Sequence, residues 1–320
     1  MPMILALRAL GIGDLATAVP ALRGLRAAYP DQELALAAPA WLAPLAALVG
    51  GIDRLVDVPD LTIRDWSDLG RRPALGVNLH GRGPQSHRLL RTARPRRMLA
   101  FACPAAGHHN GPQWTAREHE VYRWCRLLRW YGIAADPADL ALPRPAAGGH
   151  PTGATVIHPG AKAAERRWPV DRFAAVAGTL AGRGHRVVLT GSAPERPIAR
   201  AIAAAAGLPD TAVLAGTTDV GGLAALVAHA RLLISGDTGA GHLATAFGTP
   251  SVLLFGPVPP HEWGPPPDRG PHRVLWAGPR PPGPAGQVDP ALAEISPADV
   301  LRAVDATDAI DGQEPATLTR

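Results

Sequence analysis

The sequence predicts an α/β protein with two doubly wound domains that face each other across a cleft. The chain has 320 residues, more than a single hydrophobic core usually serves, so two domains of about 150 residues are expected. Short apolar runs alternate with Ala-rich helical patterns in both halves, which is typical of βαβ units on parallel sheets. Residues 142–151 are rich in Pro and Gly and suit a linker between the two halves.

Each domain is predicted from its own set of apolar runs. The predicted strands are residues 4–7, 34–38, 75–79, 155–158, 186–190, 232–235 and 251–255. The domains are therefore expected at 1–145 and 152–305, and the polar, weakly patterned residues 306–320 are expected to be a disordered tail. The Pro-rich segment 256–290 is expected to be an irregular loop that closes over the ligand.

Composition disfavours several classes of protein. No apolar run approaches the roughly 18 residues of a membrane span. The first apolar run, residues 3–7, is too short for a signal peptide and ends at Arg8, so we expect a cytoplasmic protein. Two cysteines, Cys103 and Cys125, form neither a disulfide framework nor a zinc set, and we expect both to be buried small hydrophobic residues.

Positive charge is concentrated in the first half of the chain. Residues 1–150 hold 18 Lys and Arg against 12 Asp and Glu, whereas residues 151–320 hold 14 against 15. Six arginines without an intervening acid form what we call the arginine cluster: Arg82, Arg88, Arg91, Arg94, Arg96 and Arg97. The cluster is either a solvated face or a surface for a phosphorylated acceptor or an anionic membrane, which would place the protein peripherally at the inner face of the cell membrane. Stacking aromatics are absent from that stretch, so nucleic acid is not expected as a partner.

Two loops in the second half have the form of a phosphate site. Residues 235–242 (SGDTGAGH) follow an apolar run and open a helix of small residues, and a helix start directs backbone N–H groups and a positive dipole toward an anion. Residues 156–161 (VIHPGA) form a second strand-to-loop unit, followed by Arg166-Arg167-Trp168-Pro169. The two loops together predict a site for a nucleotide diphosphate.

The first loop of the chain, residues 11–15 (GIGDL), has a different chemistry. Its two glycines permit a tight turn, but Asp14 at the helix start would repel the pyrophosphate of a nicotinamide dinucleotide. Asp14 is either an N-cap or a general base that takes a proton from an acceptor hydroxyl.

Three segments together resemble glycosyltransferase family 9, the heptosyltransferase-like enzymes: GIGDLATAVPALRGLRAAYP, HPGAKAAERRWP and SGDTGAGHLATAFGTPSVLLFGP. The resemblance implies a GT-B fold with two Rossmann-like domains and the donor on the C-terminal one. It also implies inverting transfer from a sugar nucleotide, in this family ADP-heptose.

The resemblance assigns roles to named residues. Asp14 matches the family's catalytic base, and Arg166 stands where the family usually has Lys, so a planar fork replaces a point charge. The candidate donor-binding residues are Arg166, Arg167, Asp237, Thr238, Gly239, Gly241, His242 and Gly160. The candidate acceptor-side residues are Gly13 and Arg82, and the acceptor is a glycan, a lipid-linked sugar or a small molecule.

Some expectations stay open. The family's acidic ribose contact aligns with Gly221, with Asp219 two residues away, so the nucleotide base and the sugar are not fixed. His242 either contacts the donor or caps the loop, and Trp263 is a candidate lid. No Asp-x-Asp pair or zinc spacing is present, so no metal and no cofactor besides the nucleotide sugar are expected. The alternatives are a silent sugar-nucleotide-binding protein and another GT-B enzyme, such as an epimerase or a transferase that uses GDP- or UDP-sugars.

Overall fold

The chain divides into two compact units between Leu142 and Pro143, inside the Pro-rich segment. This division is seen in a computed structural model, which describes residues 1–267 and 269–311. Each unit is organised around its own five-stranded parallel sheet, so each is described by itself.

Unit 1 has the strand order of a Rossmann-type sheet. Its strands are β1 (Met3–Leu7), β2 (Glu33–Ala38), β3 (Arg54–Asp57), β4 (Leu75–Asn78) and β5 (Arg97–Leu99). Its helices are α1 (Ile12–Thr17), α2 (Val19–Ala28), α3 (Ala43–Val49), α4 (Gln85–Thr92) and α5 (Glu120–Trp130). The order β3-β2-β1-β4-β5 places the reversal of strand order between β1 and β4. In open α/β sheets ligands bind at such a switch point, beyond the carboxyl ends of the strands.

Unit 2 has a different strand order, of the flavodoxin type. Its strands are β6 (Thr155–His158), β7 (Val187–Leu189), β8 (Leu232–Gly236), β9 (Ser251–Leu254) and β10 (His272–Leu275). Its helices are α6 (Val170–Gly182), α7 (Arg196–Ala205), α8 (Val220–Ala228), α9 (Gly239–Phe247), α10 (Pro260–Trp263), α11 (Pro290–Glu294) and α12 (Pro297–Asp311). The order β10-β9-β8-β6-β7 places its switch point between β6 and β8.

The central strands form because they are apolar on both faces. All five residues of β1 are buried, as are all five of β8, and helices on each side of a parallel sheet require such continuous apolar runs. In unit 2, Trp168 and Phe173 pack edge to face with ring centroids 4.9 Å apart, which fixes the start of α6 against the core.

The predicted α/β class is confirmed, and the seven predicted strands all occur within one or two residues of their expected bounds. Three strands were not predicted: β3, β5 and β10. Segment 256–290 is not a wholly irregular loop, because it contains α10 and β10, and β10 pairs with β9 along four residues. The tail expected from residue 306 is helical as far as Asp311, and residues 312–320 lie outside the described residues.

Two further expectations concern the cysteines and the membrane. Cys103 and Cys125 are free and buried, as predicted. Among the described helices, none combines the length and the apolar character needed to cross a membrane.

Candidate active site

Asp14 lies in the first turn of α1, the helix that follows β1, at the switch point of unit 1. It is the third residue of α1, and its Oδ2 accepts a hydrogen bond from the N–H of Gly11, the N-cap, over 3.1 Å. Its side chain is 27% exposed. Asp14 is therefore not the N-cap, as one interpretation of the sequence expected, but its carboxylate stabilises the helix start from the third helical position while it remains accessible.

Behind this turn lies Arg8, a fully buried arginine. Its Nε donates to the backbone oxygen of Asp14 over 2.8 Å, and its Nη2 lies 3.7 Å from Asp14 Oδ1. The same Nη2 donates to Glu120 Oε1 on α5 over 3.1 Å. A buried charge is costly unless it is paired, and these contacts supply the pairing.

His80 follows β4, next to β1 in the sheet, and was not predicted as a site residue. Its Nδ1 is buried and has no hydrogen-bond partner among the described residues. Burial and the charge of Arg8 lower the pKa of His80 to about 4, and the charge of Asp14 opposes that shift. His80 is therefore a neutral imidazole at pH 7, within electrostatic range of Asp14.

The predicted acceptor-side residues lie in the same unit. Gly13 precedes Asp14 in the first turn of α1, and Arg82 is exposed in the segment that joins β4 to α4. Two other arginines of the cluster donate to the backbone around residues 104–106, Arg88 to the oxygen of Ala105 and Arg91 to that of Ala106. These two arginines of α4 therefore contact the segment that follows β5.

In unit 2, the loop predicted to bind phosphate joins β8 to α9. Thr238 is the N-cap of α9, and Gly239 and Gly241 lie in the first turn of that helix. The first N–H groups of a helix have no partner inside it and are suited to an anion. A Cβ on Gly241 would lie 3.1 Å from Leu253, so the small residue lets α9 approach β9 closely.

Arg166 reaches this loop from the segment after β6. Its Nη2 lies 2.6 Å from Oδ2 of Asp237, whose side chain is 10% exposed. Arg167 turns the other way, and its Nε donates to the backbone oxygen of Ala161 over 2.8 Å. The Arg166 side chain thus contacts the β8–α9 loop, whereas the Arg167 side chain contacts the backbone of the segment after β6.

Asp237 also faces the imidazole of His242, with Nε2 3.9 Å from Asp237 Oδ1. The His242 ring meets the indole of Trp263 on α10 with centroids 5.7 Å apart and an interplanar angle of 70°. These side chains line a small pocket that is partly open to solvent. We call it the α9 pocket, and its lining includes Gly236, Asp237, Thr238, Gly241, His242 and Trp263.

Gly160 is packed against Glu195 at the carboxyl ends of β6 and β7. A Cβ at Gly160 would collide with the Glu195 carboxylate, which accepts hydrogen bonds from the N–H and hydroxyl of Ser192. Burial lowers the pKa of the neighbouring His158, and the charge of Glu195 opposes that shift. The sequence did not indicate Glu195, because its contact with Gly160 depends on the packing of the loop after β7.

At the position where the resemblance implies an acidic ribose contact, the residue is Gly221, and Asp219 lies two residues before it. Asp219 is the N-cap of α8, and its Oδ1 accepts a hydrogen bond from the N–H of Gly222 over 2.7 Å. Its carboxylate thus has a local structural role. Within residues 1–267 and 269–311, no group of three or more His, Cys, Asp and Glu side chains is arranged to hold a metal ion.

The chain resembles a known protein family over half of its length. The model of glycosyltransferase family 9 (heptosyltransferase) matches residues 118–277, half of the chain. The chain belongs to this family.

Relatives of the family 9 chain are named heptosyltransferases. Lipopolysaccharide heptosyltransferase 2 of Salmonella typhimurium is 25% identical over 292 residues, covering 78% of this chain and 81% of that protein. Lipopolysaccharide heptosyltransferase 3 of Escherichia coli is 36% identical over 112 residues, about a third of each chain. These matches identify the protein as a glycosyltransferase.

The fold of this family 9 protein is similar to a solved structure over nearly its whole length. The Escherichia coli ADP-heptose lipopolysaccharide heptosyltransferase II superposes with a TM-score of 0.77 at 21% identity, over 97% of this chain and 99% of that one. The predicted GT-B fold is therefore confirmed.

Proposed function

We propose that this family 9 glycosyltransferase transfers a heptose or related sugar from an ADP-linked donor to a hydroxyl of an acceptor. The transfer inverts the anomeric centre and needs no metal. The relatives named above are heptosyltransferases, and the solved relative is named for ADP-heptose, which supports the donor.

The observation that carries the proposal is the α9 pocket together with Arg166, which pairs with Asp237 in the lining of that pocket. The helix N-terminus offers backbone N–H groups from Gly239 onward, and the Arg166 guanidinium lies against the same loop. A leaving nucleoside diphosphate gains negative charge as the glycosidic bond breaks, and these groups stabilise that charge. Asp237 now pairs with Arg166, so a bound diphosphate would compete with Asp237 for the guanidinium.

Asp14 is assigned to the acceptor. Its exposed carboxylate takes the proton of the acceptor hydroxyl while that oxygen attacks the anomeric carbon opposite the departing diphosphate. One bond forms between oxygen and carbon, one breaks between carbon and the diphosphate oxygen, and the diphosphate leaves with the electron pair. A single displacement of this kind inverts the centre.

The acceptor is proposed to be an anionic glycan or lipid-linked saccharide. The arginine cluster, which includes exposed Arg82 and Arg88, follows β4 in the unit that carries Asp14. Guanidinium groups recognise phosphate and carboxylate by bidentate hydrogen bonds, which supports an acidic acceptor.

Calorimetric titration with ADP, GDP, UDP and dTDP, each with magnesium and with EDTA, tests the donor. Selective binding of ADP that EDTA does not change is expected. Turnover of ADP-heptose with product analysis by NMR then gives the anomeric configuration. Binding of a different nucleotide, loss of binding or turnover in EDTA, or retention of configuration would each contradict the corresponding part of the proposal.

A further inference from the structure

Arg8 makes more contacts than are needed to neutralise its buried charge. Besides Asp14 and Glu120, its guanidinium donates to the backbone oxygen of Leu79 and, over 3.1 Å, to Thr17 Oγ1. Its face lies 4.6 Å from the centroid of the Trp124 ring. One buried side chain thus joins the two ends of α1, the carboxyl end of β4 and α5.

We propose that Arg8 is a positioning residue for the transfer reaction, which fixes the Asp14 carboxylate from the buried side of the turn. The inference rests on the proposed role of Asp14 as the base. A guanidinium has a rigid planar fork, so bonds to both the backbone oxygen of Asp14 and the fixed end of β4 leave the turn little freedom to rotate. A base must be held within a fraction of an ångström of its proton, and a displacement of about 1 Å can cost about 100-fold in rate.

Glu120 holds Arg8 in turn. Its Oε1 accepts from Arg8 Nη2 and from Trp124 Nε1 over 2.9 Å, while Oε2 pairs with Arg123. Glu120 is 4% exposed and Arg8 is fully buried. Apolar residues of similar volume often stabilise a protein core as well as a buried ion pair does. We therefore attribute to the Arg8–Glu120 pair a role in fixing the geometry of the turn rather than in stability.

The test is a double-mutant cycle between Arg8 and Asp14. Arg8→Met should lower kcat by about 10- to 100-fold with the Kd of ADP unchanged, because donor binding belongs to unit 2. Arg8→Lys keeps the charge without the fork and should recover part of the loss. In an Asp14→Asn background, Arg8→Met should change the residual rate by less than about threefold, because residues that act through one another are not additive.

Two further variants serve as controls, the first for loss of folding and the second for the general effect of removing an arginine. Arg8→Met removes one of the two arginines that pair with Glu120, so Arg8→Met with Glu120→Gln removes both charges of the Arg8–Glu120 pair and serves if the single variant does not fold. Arg64→Met is the matched control: Arg64 also stacks on a tryptophan, 4.9 Å from the Trp66 ring, and pairs with an acid, Asp68, over 2.7 Å. It should transfer sugar at the wild-type rate.

The outcomes separate the two proposals. Full activity of a folded Arg8→Met variant, or the same fold-loss in both backgrounds, would show that Arg8 has no role through Asp14. If Asp14→Asn alone keeps full transfer, the proposed base is wrong and the positioning role fails with it. A raised Kd for ADP in Arg8→Met would also overturn the inference, since the damage would then extend to donor binding.

Discussion

The two switch points of this molecule have similar backbones and opposite chemistry. At the first, between β1 and β4, a carboxylate stands at the start of α1 with a buried arginine behind it. At the second, between β6 and β8, an arginine faces outward onto the start of α9 and pairs there with Asp237. An acid at a helix start repels phosphate, whereas a free helix start with an arginine binds it. The fold therefore supplies two comparable positions, and in the proposed mechanism their side chains assign the proton to the first and the diphosphate to the second.

The largest expected effect is that of removing the Asp14 carboxylate at the first switch point. Asp14→Asn keeps the size and the cap geometry but removes the base, so transfer should fall by about 10²- to 10⁴-fold. Nucleotide binding, measured by calorimetry, should stay within twofold of wild type. Asp31→Asn, an exposed acid of the same unit, is the control and should retain full activity. Unimpaired transfer by the Asp14 variant would remove Asp14 from the mechanism.

The next largest effect is expected from substitution of Arg166 at the second switch point. Arg166→Ala should weaken ADP binding by about 10- to 100-fold, because a charge-assisted hydrogen bond contributes about 1.5–3 kcal/mol. Arg167→Ala should have a smaller effect, since Arg167 donates to the backbone oxygen of Ala161. Equal losses in the two variants, determined by the same titration, would contradict the assignment of the phosphate contact to Arg166.

A weaker effect concerns the surface beside the first switch point. Replacing Arg82 and Arg88 with Gln should reduce binding to anionic vesicles, by about fivefold for each arginine that reaches the surface, since such a residue contributes about 1 kcal/mol. Sedimentation with phosphatidylglycerol-containing vesicles at low salt measures it, and neutral vesicles are the control. No sedimentation of the wild-type protein would show that the arginine cluster serves the acceptor or the solvent instead.

The sequence predicted the loops of both switch points but not what lies behind them. The central strands are continuous apolar runs, so the turns that follow them could be found directly, with Asp14 in one and Asp237 in another. The unpredicted strands β3, β5 and β10 are all at sheet edges, where partly or fully exposed residues such as Arg54, Arg97 and Arg273 interrupt the apolar pattern. Their positions depend on pairing with an inner strand, which a local pattern does not reveal.

The buried side of the first site was equally hidden from the sequence. Arg8 and Glu120 are 112 residues apart, and their contact exists because α5 packs against α2 beside the sheet. His80 becomes a neighbour of Asp14 because β4 pairs with β1, a consequence of strand order rather than of spacing. The signal that was available is the position of His80, directly after the predicted parallel strand 75–79.

The smallest expected effect compares one histidine from each unit. Burial lowers the pKa of both His80 and His272 to about 4, assisted by Arg8 in the first case and by Arg269 in the second. Between about pH 6.5 and pH 4 these two imidazoles bind protons in the unfolded chain but remain neutral in the folded protein. Their contribution to the free energy of unfolding is therefore complete above about pH 6.5 and is lost as the pH falls toward 4.

The two histidines differ in whether an acid opposes the lowering of the pKa. Asp14 raises the pKa of His80, whereas within the described residues no acid is among the groups that shift the pKa of His272. Asp14→Asn should therefore move the NMR titration of His80 to lower pH and leave that of His272 where it is, with His80→Gln and His272→Gln assigning the two resonances. An unmoved His80 titration would show that its imidazole does not sense the Asp14 carboxylate. A shift of both would show that the substitution disturbs the fold rather than one charge, because His272 belongs to the other unit.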